Sequence, residues 1–272
     1  MKNTHLITID PQNDFCIATG PSGQKGQLVV GGAEADINRL AAFINKNRSR
    51  ISQIHCTLDS HQSAHIAHPI FWTNAKGEHP PVFSVISHED TVNGVWFPSN
   101  PRLRPYGEYY TGELKKHGRY QLMIWPPHCL IGTWGHSLVP VMADALVAWD
   151  IGAWKRLTKV NFVAKGSNVL TEHYSGVQAD VPDDSDSSTK LNTGLIDALS
   201  QADEILITGE ALSHCVANTI RDIANKFGDD NVKKFVLLED TSSNVTGCDQ
   251  LGSDFVKELV GRGMKVTTTR DW

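Results

Sequence analysis

Seven short apolar runs recur along the chain, and segments with helical spacing separate several of them. The runs are HLITID (5–10), QIHCTLD (53–59), YQLMIWP (120–126), VNFVAK (160–165), EILITG (204–209), KFVLLED (234–240) and KVTTT (265–269). The helical patterns fall at 33–45, about 137–157, 194–201, 216–227 and 250–262. Parallel strands need long crossovers, and helices are the crossovers that cover a sheet on both faces. The expected fold is α/β: a three-layer α/β/α, Rossmann-like sandwich around six or seven mostly parallel strands. No internal repeat or linker interrupts the 272 residues, so 1–272 reads as a single domain.

Two regions break the rhythm. Residues 69–119 are rich in Pro, Gly, His and aromatics and show little periodicity, so they read as an irregular insertion. Such a segment, leaving and returning beside polar motifs, is expected to cover or border a pocket, with Trp72, Trp96 and Phe97 as candidate contacts. PDDSDSSTK (182–190) reads as a solvated connector.

The net charge of −5 gives no sign of a nucleic-acid or anionic-membrane partner. The opening MKNTHLITIDPQ lacks a signal-peptide core, and no segment is apolar enough to span a bilayer. Five cysteines (16, 56, 129, 215 and 248) are scattered without CxxC spacing. An odd number without a secretion signal reads as reduced thiols and a cytoplasmic protein.

In open α/β sheets, ligands bind beyond the carboxyl ends of the strands. The first run ends at Asp10, followed by Gln12 and Asp14, and the second ends at Asp59 and His61. The run at 120–126 leads to His128 and Cys129, the next ends in Lys165, and EILITG leads to Cys215. Five strands thus send an Asp, an Asp/His pair, a His, a Lys and a Cys to one edge. Cys215 sits between a buried strand and an amphipathic helix, where free N–H groups and the helix dipole favour a thiolate. A buried structural cysteine is the commoner fate of a lone thiol. A carboxylate such as Asp10 could take the thiol proton, and the ammonium of Lys165 could hold both anions in place. Taken alone, Asp10 could be a turn residue and Lys165 a surface lysine.

DSHQSAHIAH (59–68) and PPHC (126–129) bring carboxylate and imidazole together. Asp59 and His61 alternate along an extended chain, so both can face one point, with His65, His68 and His128 as further donors. Such a mixture suits Zn²⁺, Fe²⁺ or Mn²⁺; a set of surface histidines is the alternative.

These motifs together resemble the isochorismatase/nicotinamidase superfamily of cysteine hydrolases, most closely its metal-containing nicotinamidase branch. IDPQNDFC, followed by LVVGGA, resembles the family's opening D-x-Q-x-D-F. Asp59, His61 and His65 resemble its D-x-H…H element, and WPPHC its metal-binding signature. KG (165–166), HYSG (173–176) and GEALSHCVANT resemble the segments around its lysine and its nucleophile. The sequence departs from the pattern in the long segment before WPPHC, in two extra residues before HYSG, and in Glu210, where an apolar residue is common.

The resemblance implies an isochorismatase-like hydrolase fold and a catalytic triad of Asp10, Lys165 and Cys215. It implies a cis peptide between Glu210 and Ala211, and an oxyanion hole from the N–H groups of Ala211 and Cys215. Phe15, Trp125, Tyr174, Glu210 and His214 are implied for the substrate pocket. Asp59, His61 and His128 are implied as ligands of a divalent ion, Zn²⁺ first with Fe²⁺ or Mn²⁺ as alternatives, and His65 as a ligand or a partner of the ligands. The implied activity is hydrolysis of a small amide, nicotinamide or a related heteroaromatic amide, as in NAD salvage, by a homo-oligomer. A ureido or carbamoyl substrate is the alternative within the family. A hydrolase whose ion activates water, with Cys215 incidental, and a non-catalytic binding protein are the readings from other classes.

Overall fold

A computed structural model of the protein describes residues 2–272. Six strands form one sheet: β1 (Thr4–Ile9), β2 (Gln53–Asp59), β3 (Asn161–Lys165), β4 (Glu204–Gly209), β5 (Phe235–Leu238) and β6 (Lys265–Thr267). Their order is β6-β5-β4-β1-β2-β3, and every pairing is parallel. β1 and β4 are buried along their whole length, as expected of central strands covered on both faces.

The principal helices lie close to their expected places: α1 (Ala33–Asn47), α3 (Pro140–Ala153), α4 (Thr193–Ser200), α5 (Ala217–Phe227) and α6 (Asp249–Gly261). α1 packs on α3, while α5 packs on α4 and α6, which gives the three layers. In α1 the buried Ile37, Leu40, Ala41 and Ile44 recur at three- and four-residue spacing, so one stripe faces the sheet. Among the described residues, no helix is long and apolar enough to cross a membrane.

The run at 120–126 is not a strand of this sheet. Only Leu122–Met123 pairs, antiparallel, with Val85–Ile86. Its apolar residues are buried by the insertion instead: Phe83 lies edge-on to Trp125 at 6.0 Å, and Leu122 and Ile124 are buried. A short apolar run reads alike in either setting.

The insertion is also more regular than its composition suggests. Arg104–Lys116 forms a 13-residue helix, α2, with Pro105 in its first turn and Lys115 and Lys116 in its last. A shorter helix, His88–Val92, carries a capping box in which Ser87 and Asp90 bond each other's backbone N–H. Two glycines and three tyrosines hide the helical stripe in the sequence. Gly107, Tyr110, Thr111 and Leu114 are nevertheless buried together at helical spacing.

Candidate active site

Sheet register brings the charged groups together. Asp59 at the end of β2 pairs directly with Lys165 at the end of β3, and Ile9 of β1 pairs with Gly209 of β4. Asp10 and the turn carrying Cys215 therefore begin on adjacent strands. Lys165 is 2% exposed, which removes the surface reading. Its Nζ lies 2.8 Å from Asp10 Oδ2, 3.1 Å from Asp59 Oδ1 and 3.6 Å from Cys215 Sγ. Two carboxylates around the ammonium outweigh the burial that opposes its charge, and its pKa stands well above the usual value.

Asp10 has a left-handed backbone (φ 45°), and its Oδ1 accepts a 2.6 Å hydrogen bond from the Thr57 hydroxyl. Burial, helped by the charge of Asp59, raises its pKa against the pull of Lys165. A carboxylate raised in this way is a better base than one in water. Burial also pushes the Cys215 thiol well above its usual pKa, with Lys165 opposing. Cys16, Cys56 and Cys129 are buried and raised as well, and the Lys165 ammonium donates to Cys215 Sγ at 3.6 Å. Cys215 lies in a π-type turn, Leu212–Val216, that runs into α5. The peptide between Glu210 and Ala211 is cis.

Gln12 locks the first two strand ends together: its Nε2 donates to the Asp59 carbonyl, and its Oε1 accepts from the Asp59 N–H, both at 2.7 Å. Asp14 holds the loop of residues 126–135 by accepting from the Cys129 N–H at 2.6 Å. That loop supplies His128, so one ligand comes from a loop rather than from a fifth strand.

Asp59, His61 and His128 offer ligand atoms within 4.8 Å of one another, all buried. His61 Nδ1 lies 3.0 Å from the Gly166 carbonyl, and His128 Nδ1 lies 2.8 Å from the Pro126 carbonyl. A carbonyl only accepts, so both Nδ1 atoms carry hydrogen, and in the neutral rings the lone pairs are on the Nε2 atoms. They stand 3.0 and 3.3 Å from Asp59 Oδ2. Either a proton on an imidazole or a metal cation would hold these atoms together, and the neutral rings with Asp59 offer three donor atoms to one ion. Tetrahedral Zn²⁺ with bonds of about 2.0–2.1 Å would set its ligands about 3.3 Å apart. The donor set and its carbonyl partners thus fit a divalent ion. Gly166 (φ +83°) is required here, since a Cβ would sit 2.8 Å from Asp59 Oδ1 and His61 Cε1.

His65 does not join the ligands. Its Nδ1 accepts from the Ala67 N–H at 3.2 Å, and its Nε2 donates to the Thr171 carbonyl at 3.1 Å, so no lone pair is left. It packs against the His61 ring at 4.4 Å as a supporting partner.

A narrow cavity of about 20 Å³ opens onto Cys215, lined among others by Phe15, Trp125, Tyr174, Ala211 and His214. Trp125 Nε1 donates to the Tyr174 hydroxyl at 2.8 Å, which fixes one wall. Glu210 is turned away from it: its Oε2 accepts from the Ser243 N–H at 3.0 Å, and its carboxyl faces Asp36. Desolvation and the charge of Asp36 raise its pKa well above the usual value.

Three lining residues were not singled out from sequence: Leu28, Glu172 and Val245. Glu172 directly precedes HYSG, and its Oε2 is buried without a partner; a carboxyl so placed could hold a water or share the ion. Val245 arrives on a loop bonded to the nucleophile turn through Leu212 N–H to the Ser243 carbonyl and Val245 N–H to Ser213 Oγ. Leu28 opens the LVVGGA segment, and no local signal marks Val245.

Trp72, Trp96 and Phe97 do not line the cavity. Trp72 is buried within the insertion and donates to the Ile66 carbonyl. The insertion instead braces the wall from behind: Tyr106 donates to the Leu170 carbonyl, and Tyr110 accepts from the Glu172 N–H.

The chain thus sets buried Asp10, Lys165 and Cys215 beside an Asp/His/His cluster on a three-layer α/β fold. No family model matches the chain. The nicotinamidase of Saccharomyces cerevisiae is 28% identical over 214 residues, covering 79% of this chain and 78% of that protein. The crystal structure of the yeast nicotinamidase bound to nicotinaldehyde superposes with a TM-score of 0.63 at 22% identity, covering 97% and 99% of the two chains. The zinc complex of Pyrococcus horikoshii pyrazinamidase gives 0.55 at 19% identity, covering 98% and 99%. These solved structures share the fold of this chain, the three-layer arrangement of isochorismatase-like hydrolases.

Proposed function

We propose that this protein is a cysteine-dependent amidohydrolase acting on a small heteroaromatic amide, with nicotinamide the first candidate. The observation that carries this reading is Lys165 Nζ at 2.8 Å from Asp10 and 3.6 Å from the Sγ of Cys215, which itself lines a small aromatic-walled cavity. The yeast relative, itself a nicotinamidase, supports the choice of amide.

Asp10 takes the Cys215 proton, and the thiolate attacks the amide carbon. The Ala211 and Cys215 N–H groups hold the developing oxyanion. As the C–N bond breaks, Asp10 returns the proton to the departing ammonia. Asp10 then takes a proton from water, whose oxygen attacks the thioester; as the C–S bond breaks Asp10 returns that proton to the Cys215 thiolate, and the product acid loses its own proton to solvent as the carboxylate. Lys165 remains an ammonium throughout and keeps Asp10 and the thiolate together. Asp59, His61 and His128 would hold the divalent ion, Zn²⁺ by the donor set, which supplies a Lewis-acid anchor for a ring nitrogen. Phe15, Trp125 and Tyr174 give flat walls for the ring. Nicotinamide as substrate would place the reaction in NAD salvage, and five free cysteines suit a reducing cytoplasm.

The test is ammonia release from nicotinamide, pyrazinamide, aliphatic amides and ureido compounds by metal-replete protein, with and without chelator. Turnover of the ring amides that chelator suppresses is expected. Turnover of an aliphatic or ureido compound alone refutes the substrate, and full activity of Cys215→Ala refutes the chemistry.

A further inference from the structure

His68 is fully buried, yet one of its nitrogens has no partner. Its Nδ1 lies 3.1 Å from the Ser63 carbonyl, which can only accept. Nδ1 therefore carries the hydrogen, and the orphaned Nε2 is a lone pair. The other buried histidines nearby differ. His65 has both nitrogens engaged. His173 Nδ1 accepts from the Gly166 N–H at 3.3 Å, so its unpartnered Nε2 is an N–H and repels a cation. Of these three, His68 alone keeps an open acceptor.

The position of that acceptor is informative. The His68 ring lies 5.4 Å from the ring of His61 and 5.9 Å from that of His128. It is not one of the three residues whose ligand atoms converge directly. A buried acceptor without a donor is costly, and native proteins satisfy it with water or an ion. A water polarised by a divalent cation is a strong donor and suits an imidazole lone pair just beyond the direct ligands.

We propose that His68 is a further residue of the metal centre, accepting through Nε2 from a water on the ion and so helping to retain it. This rests on the metal reading above. His68 acts through that water as a positioning residue.

The test uses the full-length protein as wild type, His68→Phe, His68→Gln and His61→Ala. Each is stripped with chelator and titrated with Zn²⁺ against a chromophoric competitor, then loaded with Co²⁺ for its visible spectrum. His68→Phe should bind Zn²⁺ about 10- to 100-fold more weakly and shift the Co²⁺ bands. His68→Gln, which keeps an acceptor, should fall between it and wild type. The melting temperatures of the metal-free proteins separate lost affinity from lost fold, and His68→Gln carries the test if His68→Phe does not fold. Wild-type affinity and spectrum in His68→Phe, with binding abolished in His61→Ala, would overturn the role of His68 and leave the metal reading standing. A wild-type protein that takes up no ion would overturn both.

Discussion

The two sides of the cavity are built differently. On the thiol side, Asp10, Lys165 and Cys215 come from the ends of β1 and β3 and the turn after β4, so sheet register sets their spacing. On the metal side, only Asp59 belongs to a strand. His61 follows it, while His128 and Glu172 ride on loops held by Asp14 and by Tyr110 of the insertion. The shared group is Asp59, with Oδ1 on Lys165 and Oδ2 between the two histidines. The proposed reacting atoms sit at strand ends, where sheet register fixes them, and the proposed orienting groups sit mostly on loops.

The largest effect should come from the rigid side. Cys215→Ala should lower kcat/KM by about three orders of magnitude or more, with metal content unchanged. Metal analysis alongside kinetics checks this, and loss of metal in that variant would break the division. His61→Ala should do the converse. Bound metal should fall from about one equivalent to none, while Cys215 keeps its alkylation rate with iodoacetamide. Preferential labelling of Cys16, Cys56, Cys129 or Cys248 in wild type would remove the thiol side from the comparison.

A smaller effect belongs to Thr57, whose hydroxyl hydrogen bond favours ionised Asp10. The base works only when ionised, so kcat/KM should fall as pH drops through its pKa. Burial, aided by Asp59, places that acid limb above the ordinary carboxylate range, against the pull of Lys165. Thr57→Val should move the limb to higher pH and lower kcat/KM about tenfold near neutrality. An unchanged pH profile would argue that Asp10 is not the base. The smallest effect is expected at Tyr110. Tyr110→Phe removes the acceptor for the Glu172 N–H and should cost about 1 kcal/mol, or about 2–4 °C in Tm, with kcat little altered.

Local pattern carried the sheet, the principal helices and most of the residues that meet at the site, since apolar periodicity and strand-end polar residues are written residue by residue. Asp10, Asp59, His61, Lys165 and Cys215 could be placed from their positions at the ends of runs. Tertiary structure decided what depends on distant partners. Residues 120–126 lost their expected strand because the insertion, not the sheet, buries them. His65 lost its ligand role because Ala67 and Thr171 occupy both its nitrogens. Glu210 left the pocket because Ser243 and Asp36 draw its carboxyl the other way. Val245 entered the cavity wall with no local mark at all. A run of residues encodes which face a side chain takes along its own element. Which nitrogen stays free, and which carboxyl turns inward, is set by hydrogen-bond partners that only the folded chain brings near.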